Sequence, residues 1–447
     1  MTWQPPARSA VAEQIYAAAE QDRTQRPDRY SLDVDSVVER AEKRFSAELF
    51  ADGWRAGLAE FLDSAAREAR LNAVGTRMAA QSAVGRLIAG AAITTCRRDH
   101  PTVAATPLEP PIVIIGGWRT GTTFLFRLLG TDPRLHAPLP AELVSPWLFA
   151  DGPQASTRTA SAAATELLHT LNPEMAHVHP SGPDLPEECV LAMGTDLRNW
   201  GFTSMMRLPS YASWLAGQDL GASYRRYREA LQLLSVGDPR RFVLKAPAHT
   251  AELDHLIAAF PGVVVVQIHR DIVHTLASGA SLFAVYRATY SDDVDPVEVG
   301  RQQVDQSELW FRRAAAVRAS TSAEHATFID VDYDDLVAVE RDEIRFPGDV
   351  GHLAADRELV YVLDVAPPAG ALEFDALRPH QFVVFAVPDR QVLGVPLDLE
   401  VLEMRLEPAR PPARDIGAER LREVCRPNER LIPRDWSPGD RGRFCLR

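Results

Sequence analysis

Cysteine is scarce. Four residues, Cys96, Cys189, Cys425 and Cys445, stand far apart in 447 and form no C-x-x-C pair. That spacing signals neither a disulfide scaffold nor a zinc site, and it fits a reducing compartment. Long apolar runs are missing too: no stretch reaches about 18 uninterrupted apolar residues, so no membrane span is expected. Met1 to Arg29 lack the apolar core of a secretory signal, and a cytoplasmic protein is the simplest expectation. Positive charge is not in excess, since 48 Lys and Arg face 61 Asp and Glu for a formal net charge of −13. Such a chain repels nucleic-acid backbones, so no nucleic-acid partner is expected, while a small anion held by a local basic cluster remains compatible with it.

What is present is an ordinary globular composition, 46% hydrophobic and 24% charged, with length enough for a sizeable core. At roughly 150 residues per domain the length suits two or three units, or one large α/β domain with insertions. Residues 36–97 are rich in Ala, Leu, Glu and Arg, and Phe45, Leu49, Trp54, Leu58, Phe61 and Leu62 recur at spacings of three and four. They predict a helical preface. Prolines between 101 and 111 close it, and the apolar run Ile112 to Ile115 before Gly116-Gly117 reads as a buried parallel strand. Residues 241–245 and 263–268 have the same character, and 327–331 is a further strand. Helical patterns at 122–129, 224–234, 249–260 and 272–283 alternate with them. The alternation predicts an α/β fold, a doubly wound parallel sheet with helices on both faces. The chain therefore divides into a helical N-terminal region (1–110), an α/β core (111–338) and a divergent Pro- and Arg-rich segment (339–447), in which 359–365 and 381–387 look like strands.

The octet Gly116-Gly117-Trp118-Arg119-Thr120-Gly121-Thr122-Thr123 follows a strand and opens a helix. In that context backbone N–H groups and the helix amino terminus converge on one anion. The spacing is P-loop-like, but Thr122 stands where a nucleoside-triphosphate loop needs lysine. The basic group lies inside the loop instead, at Arg119. A second anion site follows the strand ending at Ile268, where Arg270 and, eight residues on, Ser278 can face one phosphate.

On these residues the chain resembles the sulfotransferases that use 3′-phosphoadenosine 5′-phosphosulfate (PAPS), in particular a bacterial branch whose loop reads Pro-Arg-Thr-Gly-Thr-Thr. Trp118 replaces the proline here. The resemblance runs from about Ser36 to Leu336. It implies that Arg119, Thr120, Gly121, Thr122 and Thr123 hold the 5′-phosphosulfate, that Arg270 and Ser278 hold the 3′-phosphate, and that no metal is required. Trp118 and Phe124 are the aromatic residues nearest the loop for an adenine, although Phe124 is equally suited to the core.

Sulfuryl transfer to a hydroxyl needs a base for the acceptor proton and positive charge near the leaving phosphate. Lys245-Ala246-Pro247-Ala248-His249 puts both at a strand's carboxyl end and resembles the family's Lys-x-Pro-x-His segment, making His249 the first candidate base and Lys245 the cation. The alternative is a capping histidine with a snorkelling lysine. In Asp184-Leu185-Pro186-Glu187-Glu188-Cys189, Asp184 or a neighbour could cap a helix beginning near Pro186. Glu187 or Glu188 there is either a dipole partner, an orienter of His249 or the base itself. His177 and His179 are read as loop residues on the acceptor side.

The expected activity is PAPS-dependent sulfuryl transfer to a hydroxyl of a small-molecule, lipid or glycolipid acceptor. Two rivals stand beside it: a phosphate-loop kinase, disfavoured by Thr122, and a non-catalytic nucleotide-binding protein with a disabled carboxyl end. Residues 339–447 are either a divergent small domain or an altered reading frame.

Overall fold

The computed structural model describes residues 3–150 and 155–338, together with the short segments 359–362 and 384–387. Helices α1 (Ala10–Gln25), α2 (Val34–Glu42), α3 (Trp54–Glu68) and α4 (Ala73–Asp99) form the preface. Ser9, Asp33 and Asn72 cap α1, α2 and α4, each side chain accepting from a backbone N–H of the first turn, which satisfies donors the helix leaves open.

Five parallel strands follow: β1 (Ile112–Gly116), β2 (Leu135–His136), β3 (Arg241–Lys245), β4 (Val263–His269) and β5 (Ala326–Asp332), in the order β2-β3-β1-β4-β5. The central strand β1 pairs Ile112 with Val243 on one side and with Val264 on the other, and all five of its residues are buried. At about 1.5–3 kcal/mol for each fully buried Val or Ile side chain, β1 is strongly anchored, and the loop that leaves it inherits that fixed position.

Helices α5 (Thr122–Leu129), α7 (Gly221–Leu234), α8 (Ile272–Tyr290) and α9 (Pro296–Arg318) pack around the core, and α6 (Ala155–Leu171) lies against α1. One face of the sheet packs on α5 through Ile112, Ile114, Leu125, Phe126 and Ile268. The other joins the preface directly, with Val113, Ile115 and Val265 in one apolar cluster with Val37, Phe61 and Leu87. The preface is thus half of the sheet's own core.

Several boundaries differ from expectation. The helix read at 249–260 is a 3₁₀ turn, Pro247–Glu252, followed by a helix over Leu253–Ala259. The helix read at 272–283 continues to Tyr290. No helix begins at Pro186; a 3₁₀ turn over Cys189–Leu191 stands there instead, and Asp184 is drawn away by Arg158, whose Nε donates to it at 2.7 Å. Of the segment 339–447 only β6 (Leu359–Val362) and β7 (Val384–Val387) are described, as an antiparallel pair; the rest of that segment, and with it the reading-frame question, lies outside the described residues. No described helix is long and apolar enough to cross a membrane.

Candidate active site

Because the strands are parallel, β1, β3, β4 and β5 all deliver their carboxyl ends to one edge, and the order reverses there around β1. That is where open α/β sheets bind ligands. The loop from Gly116 to Gly121 turns tightly enough that a Cβ on Gly117 would lie 2.6 Å from Thr275 Cγ2. Gly121 takes φ +85° as the residue before α5, a left-handed conformation that favours glycine. Arg119 is also left-handed, at φ +65°, which costs a non-glycine residue about 1–2 kcal/mol. The Thr120 hydroxyl is buried and donates to the Gly117 carbonyl at 2.7 Å, so Thr120 offers an anion only its backbone N–H.

Arg119 reaches Ser278 with Nε to Oγ at 3.4 Å and donates through Nη1 to the Val178 carbonyl at 2.6 Å. Arg270 donates to the backbone carbonyl of Arg119 itself and lies 4.1 Å over the Tyr333 ring. The two expected anion sites are therefore one cluster. Among the described residues neither guanidinium has a carboxylate partner. Desolvation by the surrounding chain, and then the neighbouring Arg270 charge, push the Arg119 pKa down. Two uncompensated cations side by side form a site that an anion completes. Asp271 does not neutralise Arg270; it caps α8, accepting from the His274 N–H at 2.9 Å.

The second half of the crevice is built of ion pairs. Lys245, 1% exposed at the end of β3, donates to Glu188 Oε1 at 2.6 Å and to Thr123 Oγ1 at 3.0 Å. It thereby links the 116–123 loop to the 187–188 segment. Glu187 faces His179 at 3.3 Å and accepts from the Glu188 N–H at 2.9 Å. Burial alone would raise the Glu187 pKa, but His179 and Lys245 outweigh it and hold the carboxyl at about 2. His177 is exposed on a short helix, Met175–Val178, and does not join this group.

His249 is fully buried. Its Nδ1 meets the Tyr224 hydroxyl at 2.8 Å, its Nε2 has no partner, and burial pushes its pKa down to about 3. A ring so placed stays neutral and buried, at the strand end where the sequence put a candidate base. Trp118 departs from expectation. Instead of facing an adenine it packs between Phe283 and Trp310, with ring centroids 5.0 and 4.4 Å away. Phe124 is not core but 41% exposed. The aromatic ring actually beside the two guanidiniums is Tyr333, under Arg270, which sequence reasoning missed. For Lys245 a signal was available: Lys43 and Lys245 are the only lysines in a chain of 48 Lys and Arg, so a lysine at a strand's carboxyl end stands out.

Residues 110–345 match the Sulfotransferase family. The chain belongs to that family. It is 30% identical to the sulfotransferase STF1 from Mycobacterium tuberculosis, whose crystal structure superposes with a TM-score of 0.59 over 69% of this chain and 86% of that one. The sulfotransferase STF9 from Mycobacterium avium shares the fold, with a TM-score of 0.60, 23% identity, and coverage of 68% of this chain and 79% of that one. The omega-hydroxy-beta-dihydromenaquinone-9 sulfotransferases Stf3 of Mycobacterium bovis and Mycobacterium tuberculosis are each 26% identical over 244 residues, 48% of this chain. The chain spans 60% of the length of these curated relatives.

Proposed function

We propose that this sulfotransferase-family protein moves a sulfuryl group from PAPS to a hydroxyl of a lipid-like or small-molecule acceptor. The observation that carries the reading is the pair Arg119 and Arg270, adjacent at the carboxyl edge of the sheet without a carboxylate between them among the described residues. A donor with anionic groups at its 5′ and 3′ positions matches two such cations, and a loop of free backbone N–H groups at the start of α5 matches the 5′ end. In this reading the loop from Arg119 to Thr123 holds the 5′-phosphosulfate, Arg270 and Ser278 hold the 3′-phosphate, and the Tyr333 face takes the purine. Lys245, already on Thr123, moves its charge toward the bridging oxygen as the sulfur–oxygen bond breaks.

For the base, the geometry favours Glu188 over both alternatives. His249 is sealed from the crevice, and a carboxyl held at about 2, as Glu187 is, accepts a proton poorly. Glu188 has one oxygen on Lys245 and the other free of described partners. The names of the Stf3 relatives support a lipid-like alcohol as the acceptor class.

Calorimetric titration with adenosine 3′,5′-bisphosphate, with magnesium and then with a chelator, tests the donor assignment against ATP. Metal-independent binding that prefers the bisphosphate is expected. Binding of ATP alone, and only with magnesium, would overturn it in favour of a kinase-like site.

A further inference from the structure

Tyr286 was not singled out by any motif, and it stands where the two halves of the crevice meet. It lies on α8, eight residues beyond Ser278, so the helix that brings Ser278 to the donor also carries this phenol to the acceptor side. Its ring is 6.0 Å from the His179 ring, and His179 in turn holds Glu187. The charges of Glu187, Glu188 and Arg119 all act on its hydroxyl, which makes no hydrogen bond to any described residue. The hydrogen-bonding groups around it are otherwise engaged. Both Glu187 oxygens face His179, and Glu188 Oε1 is taken by Lys245. Glu188 Oε2 and the Tyr286 hydroxyl are left without described partners, and the Glu188 charge acts on that hydroxyl.

A partly buried hydroxyl whose water is expelled by a ligand must find a partner in that ligand or pay the desolvation penalty, about 1–3 kcal/mol. An acceptor hydroxyl fits both vacancies, because it can donate to a carboxylate oxygen and accept from a phenol at once. We propose that Tyr286 binds and orients the acceptor hydroxyl, donating its O–H to the acceptor oxygen while Glu188 Oε2 receives that hydroxyl's proton. This rests on the sulfuryl-transfer reading above. In the step, the acceptor oxygen forms a bond to sulfur and its proton passes to Glu188. The bond from sulfur to the bridging oxygen breaks, and its electron pair stays on the 5′-phosphate of adenosine 3′,5′-bisphosphate. Tyr286 keeps its proton throughout. Burial, and then the two carboxylates, push its pKa well above 10, so the phenol is a fixed donor across the physiological range.

The experiment measures transfer of labelled sulfuryl from PAPS to two probe alcohols, geranylgeraniol and p-nitrophenol, by the parent protein, Tyr286→Phe and Tyr286→Leu, with bisphosphate affinity measured alongside. For Tyr286→Phe we expect a roughly tenfold to hundredfold loss of kcat/KM for the alcohol, with kcat carrying part of it and bisphosphate affinity unchanged. Parental transfer by Tyr286→Phe together with a loss in Tyr286→Leu would show that only the ring matters and overturn the proposal. So would a parent protein that binds the bisphosphate yet transfers to neither alcohol. A parent protein that does not bind the bisphosphate would instead sink the donor reading itself, which keeps the two failures distinct.

Discussion

The proposed donor side and the proposed acceptor side of the site are built by opposite means. Eight consecutive residues, Gly116 to Thr123, supply most of the donor side, and Arg270 with Ser278 add the rest from one strand end and one helix. The acceptor side is gathered from four distant places: His179, the pair Glu187 and Glu188, Lys245 and Tyr286. Charge follows the same division. On the donor side two guanidiniums stand without counter-ions among the described residues, whereas on the acceptor side each carboxylate already has its cation or imidazole. A ligand entering the donor side supplies the missing charge and binds through electrostatics. One entering the acceptor side finds the charges already matched, so its affinity must come mainly from apolar contact, and the polar groups there serve chiefly to orient it.

The largest expected effect breaks the acceptor side alone. Glu188→Gln removes the proposed base while keeping a carbonyl oxygen for Lys245, and turnover is expected to fall roughly 10²- to 10⁴-fold with bisphosphate affinity unchanged. Steady-state rates beside a calorimetric titration check this, and parental turnover would move the base elsewhere. Next comes the donor side. Arg270→Ala is expected to weaken adenosine 3′,5′-bisphosphate by about 2–5 kcal/mol and to leave adenosine 5′-monophosphate unaffected. An equal loss for both ligands would mean that Arg270 acts only by steadying the loop through the Arg119 carbonyl.

The same contrast explains what could be read in the sequence. The strand, turn and helix around Gly116 to Thr123 were legible because the pattern is contiguous: an apolar run, two glycines, an arginine and a helix start in fixed order predict β1, the turn and α5 together. The spacing of Arg270 and Ser278 was legible because one strand end and the helix directly after it carry the pair. Tyr286 was not, since the periodic pattern predicts a helix only to Phe283 while the helix runs on to Tyr290. Nor could sequence show that Trp118 turns inward. Its position depends on Trp310 in α9, a helix whose start the pair Asp295-Pro296 would have marked: the Asp295 side chain accepts from the Val297 N–H at 2.8 Å and proline takes the first helical position. His249 was placed correctly along the chain but not in depth. Spacing says which residues sit at a strand end, not which of them a neighbouring helix covers, as Tyr224 and Tyr227 of α7 cover His249.

That depth gives a pH dependence with a definite sign. The His249 pKa is about 3 in the folded protein against an ordinary 6.5, so between those values the unfolded chain binds a proton that the folded one does not. Stability should therefore fall as pH drops from 6.5 toward 3, by about 1.4 kcal/mol per pH unit from this group, and the loss is absent above 6.5. From pH 6.5 to 5 that is about 2 kcal/mol. His249→Gln is less stable at neutral pH because the Tyr224 hydroxyl loses its imidazole, but it should show a shallower acid limb. Denaturant midpoints at the two pH values measure this, and parallel slopes for parent and variant would remove His249 as the source.

The smallest expected effect probes the turn that opens α5. Gly121 holds φ +85°, and a Cβ there would come 3.0 Å from Leu336 Cδ2 and 3.3 Å from Tyr333 Cδ2. Both neighbours are side-chain ends that can give by a few tenths of an ångström, so the backbone conformation dominates the cost of Gly121→Ala, about 1–2 kcal/mol. Tyr333 is also the ring beneath Arg270, and displacing it disturbs the face proposed for the purine. Stability and bisphosphate affinity should therefore decline together in this variant, each modestly, while adenosine-free pyrophosphate, which needs only the loop and its cations, should bind with a smaller loss. If pyrophosphate instead loses as much as the bisphosphate, the substitution has deformed the loop itself, and Tyr333 contributes nothing separable to the donor side.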